Sequence, residues 1–197
     1  GWNIAYQVGQ GEDFGTNIHV AQGNGILTIS GSGKYYLISV DGTLWQKINN
    51  DSDAANIAFL SGQFVRAVGN RSEFLYETSP DMVTPFQRSK VQDLNRNDLS
   101  EVFRLTSHQG VLFALMNGGP TLFTKDLKKW EIVKNSLMKT SEFSIGYLNN
   151  SFLAASDLKT ITGNLEKGIQ PVFSFPSTTP AAEDIHFLNG QFLIEGD

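Results

Sequence analysis

Short apolar runs that alternate with polar residues recur along the chain, and a turn rich in Gly or Asn breaks each of them. The clearest pair is IAFLSGQF at 57–64 and IHFLNGQF at 185–192, which are identical at six of eight positions. Weaker copies lie at 18–27, 103–113 and 145–153. Because alternation with a period of two followed by a tight turn is typical of paired strands, each copy predicts a β-hairpin.

A second pattern recurs in phase with these hairpins. Ser or Thr is followed by one spacer, Asp, and an aromatic residue a few positions later. The copies are Ser39-Asp41-Trp45, Ser79-Asp81-Phe86 and Thr124-Asp126-Trp130, with a decayed copy at Thr162-Asn164-Val172. Positions 41, 81, 126 and 164 are 40, 45 and 38 residues apart. One repeat of about 42 residues therefore contains two hairpins, and in the second repeat we expect strands near 56–59, 63–68, 73–78 and 85–88.

Four short strands in 40–45 residues are typical of a β-propeller blade. We therefore predict an all-β fold of about five four-stranded blades over residues 1–197 as one domain, with the last blade incomplete. A fragment of a larger propeller is the alternative. A β-sandwich gives no reason for repetition in phase, and a solenoid coil is shorter than this repeat. Only 92–103 could contain a short helical turn.

Composition and charge exclude several classes of protein. Of the 197 residues, 40% are hydrophobic and 18% are charged, which excludes a disordered chain. The net charge of −5 argues against a nucleic-acid partner. Without Cys the chain has neither disulfides nor a thiol nucleophile. Apolar runs are too short for membrane insertion, and residues 1–10 do not have the pattern of a signal peptide.

The stretch with Ser39, Asp41, Gly42 and Trp45 resembles the Asp-box, the bacterial neuraminidase repeat of Asp-box β-propellers. In that superfamily the boxes are structural and lie away from the active site. The superfamily includes sialidases, xyloglucanases, sorting-receptor ectodomains, photosystem assembly factors and phage surface modules, so the resemblance does not select a function. It implies that a set of residues holds turns in place: Ser39, Asp41, Trp45, Asp81, Thr124, Asp126 and Trp130.

The candidate ligand residues lie on the first strand of each repeat, which lines the channel of a propeller. Alignment on the hairpin turn places His19, Ala58, Arg104, Gly146 and His186 at one repeat position. Two imidazoles and a guanidinium could bind an anion, or a metal through the two His. A metal site needs at least three ligands in most cases, so we predict neither a metal nor a cofactor. Asn70 and Arg71 are further candidates, in a loop of the face that usually binds ligands.

The sequence shows none of the catalytic motifs that we looked for, which are an arginine triad, a pair of carboxylates and a Gly-x-Ser-x-Gly elbow. We therefore expect a non-catalytic binding module that presents loops to a glycan or a protein partner, as in bacterial or phage surface proteins, and an extracellular, virion or cell-surface location. Two alternatives stay open. One is a fragment of a sialidase-like or other glycoside hydrolase. The other is a structural or assembly propeller whose unpaired edge strand allows self-association.

Overall fold

The structure is a computed structural model, and it describes a set of segments with gaps between them. These are residues 18–31, 33–49, 56–68, 73–91, 102–116, 119–134, 144–156, 159–174, 182–188 and 191–196. All regular structure in these segments is β-strand. No helix in this part of the chain is long and apolar enough to cross a bilayer.

The strands form successive antiparallel sheets in chain order. Blade 1 contains β1 (His19–Gly23), β2 (Ile26–Ser30), β3 (Tyr35–Ser39) and β4 (Gln46–Asn49). Blade 2 contains β5 (Ile57–Leu60), β6 (Gln63–Ala67), β7 (Leu75–Ser79) and β8 (Gln87–Lys90). Blade 3 contains β9 (Val102–His108), β10 (Val111–Met116), β11 (Leu122–Thr124) and β12 (Trp130–Ile132). Blade 4 contains β13 (Ser144–Leu148), β14 (Ser151–Ser156), β15 (Lys159–Asn164) and β16 (Gly168–Ser174). A two-stranded sheet follows, of β17 (Ala182–Leu188) and β18 (Gln191–Gly196).

Each blade is a four-stranded meander, and its first strand is the innermost. Along the series β1, β5, β9, β13 and β17, each inner strand contacts the next one. This arrangement is that of β-propeller blades, so the predicted fold class is confirmed. At Val102 the observed structure is strand β9 rather than the helical turn expected over 92–103, whose first ten residues lie outside the described segments.

The hairpins between the first two strands close with two residues of positive φ. These pairs are Asn24-Gly25, Ser61-Gly62, Gln109-Gly110 and Asn149-Asn150. Two consecutive residues of positive φ make a type I′ turn, whose twist matches that of antiparallel strands. Asn and Gly enter this region at the lowest cost, which is why the sequence repeats them there.

Alternation along each strand sends one set of side chains to the preceding blade and the other set to the following blade. Between blades 1 and 2 the core contains Ala21, Tyr36, Ile38, Ile57, Phe64 and Met82. Between blades 2 and 3 it includes Leu60, Val65, Tyr76, Leu112 and Trp130. Between blades 3 and 4 it includes Phe113, Phe123, Ile145, Tyr147 and Phe152. The apolar cores therefore lie between blades, and each blade is stabilised by its neighbours.

A four-stranded meander has two distinct ends. The turns after the first and the third strand lie at one end, called here the turn end, and the other connections lie at the loop end. Hydrogen bonds join neighbouring blades at the turn end. The Asn24 side-chain amide donates to the carbonyl oxygens of Gly62 and Pro80, at 2.9 Å in each case, and the Asn149 N–H donates to the Gln109 side chain at 3.1 Å.

Candidate ligand cavity on the inner strands

The first strands of blades 1, 2 and 3 surround a cavity of about 450 Å³. Ligand pockets commonly range from roughly 300 to 1,000 Å³. The lining comes from three consecutive segments, one from each strand: Ile18–Gln22, Ile57–Phe59 and Arg104–His108. The middle segment is apolar, and the polar side chains come from the first and the third.

Two of the predicted site residues, His19 and Arg104, line this same cavity. The positions of the hairpin turns in the structure show which of the aligned residues are equivalent. His19 lies five residues before the turn residue Asn24, and Arg104 lies five before Gln109, whereas Ala58 lies only three before Ser61. An offset of two residues keeps side chains on the same face of a strand but moves them along it. His19 and Arg104 are therefore equivalent to each other and not to Ala58.

The side chains of the other three predicted ligand residues lie outside the described part of the structure. The backbone of His186 lies in β17, opposite Leu193 of β18, and its side chain is outside the described part. Asn70 and Arg71 lie outside the described residues. Among the residues that are described, no group of three or more His, Asp or Glu side chains could hold a metal ion.

Sequence reasoning missed four polar residues of the cavity, Gln22, Thr106, Ser107 and His108. The Thr106 hydroxyl and Nε2 of His108 form a hydrogen bond of 2.8 Å, which orients the imidazole ring. The signal was present in the sequence, because Arg104, Thr106 and His108 alternate along one inner strand and therefore share a face. In blade 2 the positions equivalent to Thr106 and His108 are the buried residues Ala58 and Leu60.

The recurrent aspartates lie at the turn end of the blades. Asp41 Oδ1 accepts hydrogen bonds from the N–H groups of Thr43 and Leu44, at 2.8 Å in each case. The Ser39 hydroxyl accepts one from Gly42 N–H at 2.8 Å. Segments 39–45, 79–86 and 124–130 are called here the three Asp turns, because the other two repeat this geometry around Asp81 and Asp126. Blade 4 repeats part of it, with Asn164 Oδ1 as the acceptor from Glu166 and Lys167 N–H groups.

These hydrogen bonds favour the charged form of each aspartate. The N–H groups of Leu44 and Thr43 lower the pKa of Asp41 from 3.8 to about 2. The pKa of Asp81 is lowered chiefly by Thr84, and that of Asp126 by the N–H groups of Lys129 and Lys128. The three carboxylates are thus acceptors for their own turns, at the end of the blade opposite to where β1 and β9 begin.

The residue after each Asp has positive φ, and this position differs between the three Asp turns. It is Gly42 in the first, Met82 in the second and Leu127 in the third. A side chain in this region costs roughly 1–2 kcal/mol. Met82 and Leu127 are buried in the cores toward the preceding blades, and burial of such a side chain contributes about 1.5–3 kcal/mol. Packing between blades therefore offsets the backbone strain.

Solved structures match the chain, whereas no protein-family model and no curated protein sequence does. YCF48 bound to a D1 peptide has a TM-score of 0.60 at 11% identity, covering 93% of this chain and 61% of that one. YCF48 from Cyanidioschyzon merolae has a TM-score of 0.56 at 15% identity, with 89% and 60% covered. The computationally designed Ika8 protein has a TM-score of 0.59 at 10% identity, with 91% and 55% covered.

At these identities the similarity shows a shared fold, which is the β-propeller. The chain spans between 55% and 61% of the length of these three structures.

Proposed function

We propose that this protein is a non-catalytic binding propeller that recognises a segment of a protein partner at its inner strands and loop end. The observation that carries the proposal is the cavity of about 450 Å³ between β1, β5 and β9. It combines an apolar wall with the polar side chains of His19, Arg104, Thr106 and His108. Ligand sites combine apolar contacts, which give affinity, with convergent polar groups, which give orientation, and both kinds of residue line this cavity.

The lining of the cavity favours a peptide over a glycan. Sugar rings commonly stack on Phe, Tyr or Trp side chains, and among the described residues of the lining Phe59 is the single one of these. The strands β1, β5 and β9 are edge strands of their sheets, and edge strands offer backbone N–H and C=O groups to an extended chain. Among the matched structures, YCF48 is bound to a peptide. A glycan remains the alternative that the experiment tests.

We also propose that the three Asp turns are Asp-boxes and that the chain is related to Asp-box propellers. The shared hydrogen bonds of Asp41, Asp81 and Asp126 support this relationship. On this proposal the aspartates, together with Ser39, Thr124 and their equivalents, hold the turns and contact no ligand. Trp130 packs on Phe74 with ring centroids 4.8 Å apart, so its proposed role is to join blades 2 and 3.

An assembly role is the second candidate, and the face of blade 1 that is directed away from blade 2 favours it. Val20 is 64% exposed, whereas Ile57, Leu105 and Ile145, at the same repeat position in blades 2 to 4, are at most 3% exposed. In those blades the residue packs against the preceding blade. The face with Val20 is therefore shaped for a blade of the same kind, such as one from a second copy of this chain. Light scattering tests this role: a dimer that Val20→Lys dissociates supports it, and a monomer at all concentrations contradicts it.

The binding function is tested on peptide and glycan arrays probed with the wild-type chain, Arg104→Ala and Lys129→Ala. Lys129 lies in an Asp turn with a side chain that is 76% exposed, and it does not line the cavity, so its variant removes one positive charge outside the proposed site. We expect peptide signals that Arg104→Ala weakens and Lys129→Ala leaves unchanged. Signals from glycans alone, or turnover of any glycoside on the array, would contradict the proposal.

A further inference from the structure

The cavity differs in charge from the rest of the protein. The chain has 20 acidic residues against 15 Lys and Arg, and only three His. Among the described residues that line the cavity none is Asp or Glu, whereas one is Arg and two are His. An acidic protein thus places Arg104, His19 and His108 around one space.

The polar groups lie on two of the three strands. Arg104, Thr106 and His108 alternate along β9 and share one face of it, and His19 belongs to β1. The bond of 2.8 Å between Thr106 and His108 holds the imidazole in one orientation. A guanidinium is a planar donor that binds carboxylate or phosphate oxygens in pairs, and it keeps its charge at any physiological pH.

Apolar walls strengthen such an interaction. The segment Ile57–Phe59 of β5, between the two polar strands, contributes only apolar side chains, and Leu105 of β9 adds another. Less solvent around a pair of opposite charges means less screening, and a cleft of one sign concentrates ions of the other sign.

We propose that the cavity binds an anionic group, a carboxylate or a phosphate, with Arg104 as the fixed positive charge and with His19 and His108 as additional donors. This inference rests on the proposed function, since it specifies what the bound segment carries: an acidic or phosphorylated side chain, or a chain terminus. Free inorganic anions share this chemistry, and the experiment separates the two sources.

The test is NMR titration of the intact chain, because only three His contribute imidazole signals. Sulfate is the first probe, since its charge is constant across the pH range in which imidazoles titrate. Acetylated peptides that contain one phosphoserine or one Glu are the second probe, with the Ser and Gln peptides as controls. His19→Gln and His108→Gln assign the signals.

We expect saturable shifts of the His19 and His108 signals with sulfate. Loss of a charge-assisted hydrogen bond makes the expected weakening by Arg104→Gln roughly tenfold or more, whereas Lys129→Gln keeps the wild-type affinity. Tighter binding of the phosphoserine or Glu peptide than of its control identifies a peptide as the source, and tighter binding of sulfate identifies a free anion.

Shifts that stay linear, or that are the same in Arg104→Gln, overturn the anion site. If Arg104→Gln fails to fold, His19→Gln replaces it, with a weakening of a few-fold expected. The two proposals fail separately. Array signals that depend on Arg104 without any sulfate or acidic-peptide binding would refute the anion site and leave the binding function in place. An absence of both kinds of binding refutes both proposals.

Discussion

Asp41 shows how one exposed side chain organises a turn. Its carboxylate accepts hydrogen bonds from two backbone N–H groups. It also accepts one from the Ser39 hydroxyl, at 3.1 Å. Without this carboxylate, the backbone N–H groups of the turn would need water as their hydrogen-bond partner. Because the acceptor must be ionised to bind them best, the stability of the turn depends on the charge of Asp41.

The first prediction concerns Asp41→Asn and pH. A pKa lowered from 3.8 to about 2 means that the folded state favours the ionised form. The resulting stability is fully present above the unfolded value and is lost as the pH falls through the folded value. We expect the variant to melt below wild type at neutral pH, by a difference that is constant down to about pH 4 and then shrinks toward pH 2. Thermal unfolding followed by circular dichroism at several pH values measures this difference.

The control for this prediction is Glu131→Gln, which removes a carboxylate from an exposed pair with Lys129. A difference between Asp41→Asn and wild type that does not change with pH would contradict the role of the charge.

The sequence pattern predicted some of the residues that line the cavity. His19 and Arg104 stood out because they are basic side chains on strands that alternate apolar and polar residues. Thr106 and His108 did not, because alignment of repeats compares one position at a time and hides an alternating set on a single strand. The number of residues between each candidate and the hairpin turn could not be predicted either. Offsets of three and of five residues both keep a side chain on the same face of the strand.

Within one sheet, β6, β7 and β8 carry a ladder of opposite charges. Glu77 is paired across the strands with Arg66 and Arg88, at 2.6 Å and 2.7 Å. Arg66 also donates to the Tyr36 hydroxyl of blade 1 at 2.9 Å and lies over the Phe86 ring. Burial alone would raise the pKa of Glu77, but the hydrogen bonds from Arg88 and Arg66 lower it. The ladder therefore holds a charged carboxylate inside the interface between blades.

The second prediction tests this ladder with Glu77→Gln. The Glu77 side chain is only 7% exposed, and the variant removes the carboxylate that is paired with Arg66, whose side chain is 10% exposed. Removal of one partner from a buried pair costs roughly 3–5 kcal/mol. We expect the free energy of unfolding in urea to fall by about 3 kcal/mol. For Glu131→Gln, in its exposed pair, we expect less than about 1 kcal/mol. Equal effects of the two variants would show that the ladder adds nothing to stability.

Strand positions could be predicted because the chemistry that ends a strand is local. In blade 2 the predicted strands 56–59, 63–68, 73–78 and 85–88 agree with the observed strands to within two residues at each end. Ser61-Gly62 marks one turn, and Ser79 with Asp81 marks another. The packing partner of each face was not available from the sequence, because alternation shows that two faces exist and not which blade covers each of them.

Across the whole molecule, the two ends of the blades carry different tasks. The turn end contains the three Asp turns and the hydrogen bonds between blades, such as that from the Ser61 hydroxyl to the Lys125 carbonyl oxygen at 3.3 Å. The inner strands carry the cavity. In between, the apolar cores fix the spacing of neighbouring blades, so changes in this spacing should alter stability strongly.

The third prediction concerns the close approach of blades 1 and 2 at Gly23. A Cβ atom at Gly23 would lie 2.2 Å from Cδ2 of Phe59. We expect Gly23→Ala to lower the free energy of unfolding by roughly 1–3 kcal/mol, because it forces extra volume into a packed core. In the Phe59→Ala background the same change should cost much less. Urea unfolding of the four proteins gives the coupling, and an equal cost in both backgrounds would contradict this packing.

The separation of tasks is tested most directly by measuring melting temperature and anion affinity together for Arg104→Ala and Asp126→Ala. We expect opposite profiles for the two variants. Asp126→Ala lowers the melting temperature and keeps the sulfate affinity of wild type, whereas Arg104→Ala weakens sulfate binding roughly tenfold or more and lowers the melting temperature less than Asp126→Ala does. Loss of binding in Asp126→Ala without loss of stability would contradict this separation of tasks, because the recurrent aspartates would then contact the ligand rather than hold the turns.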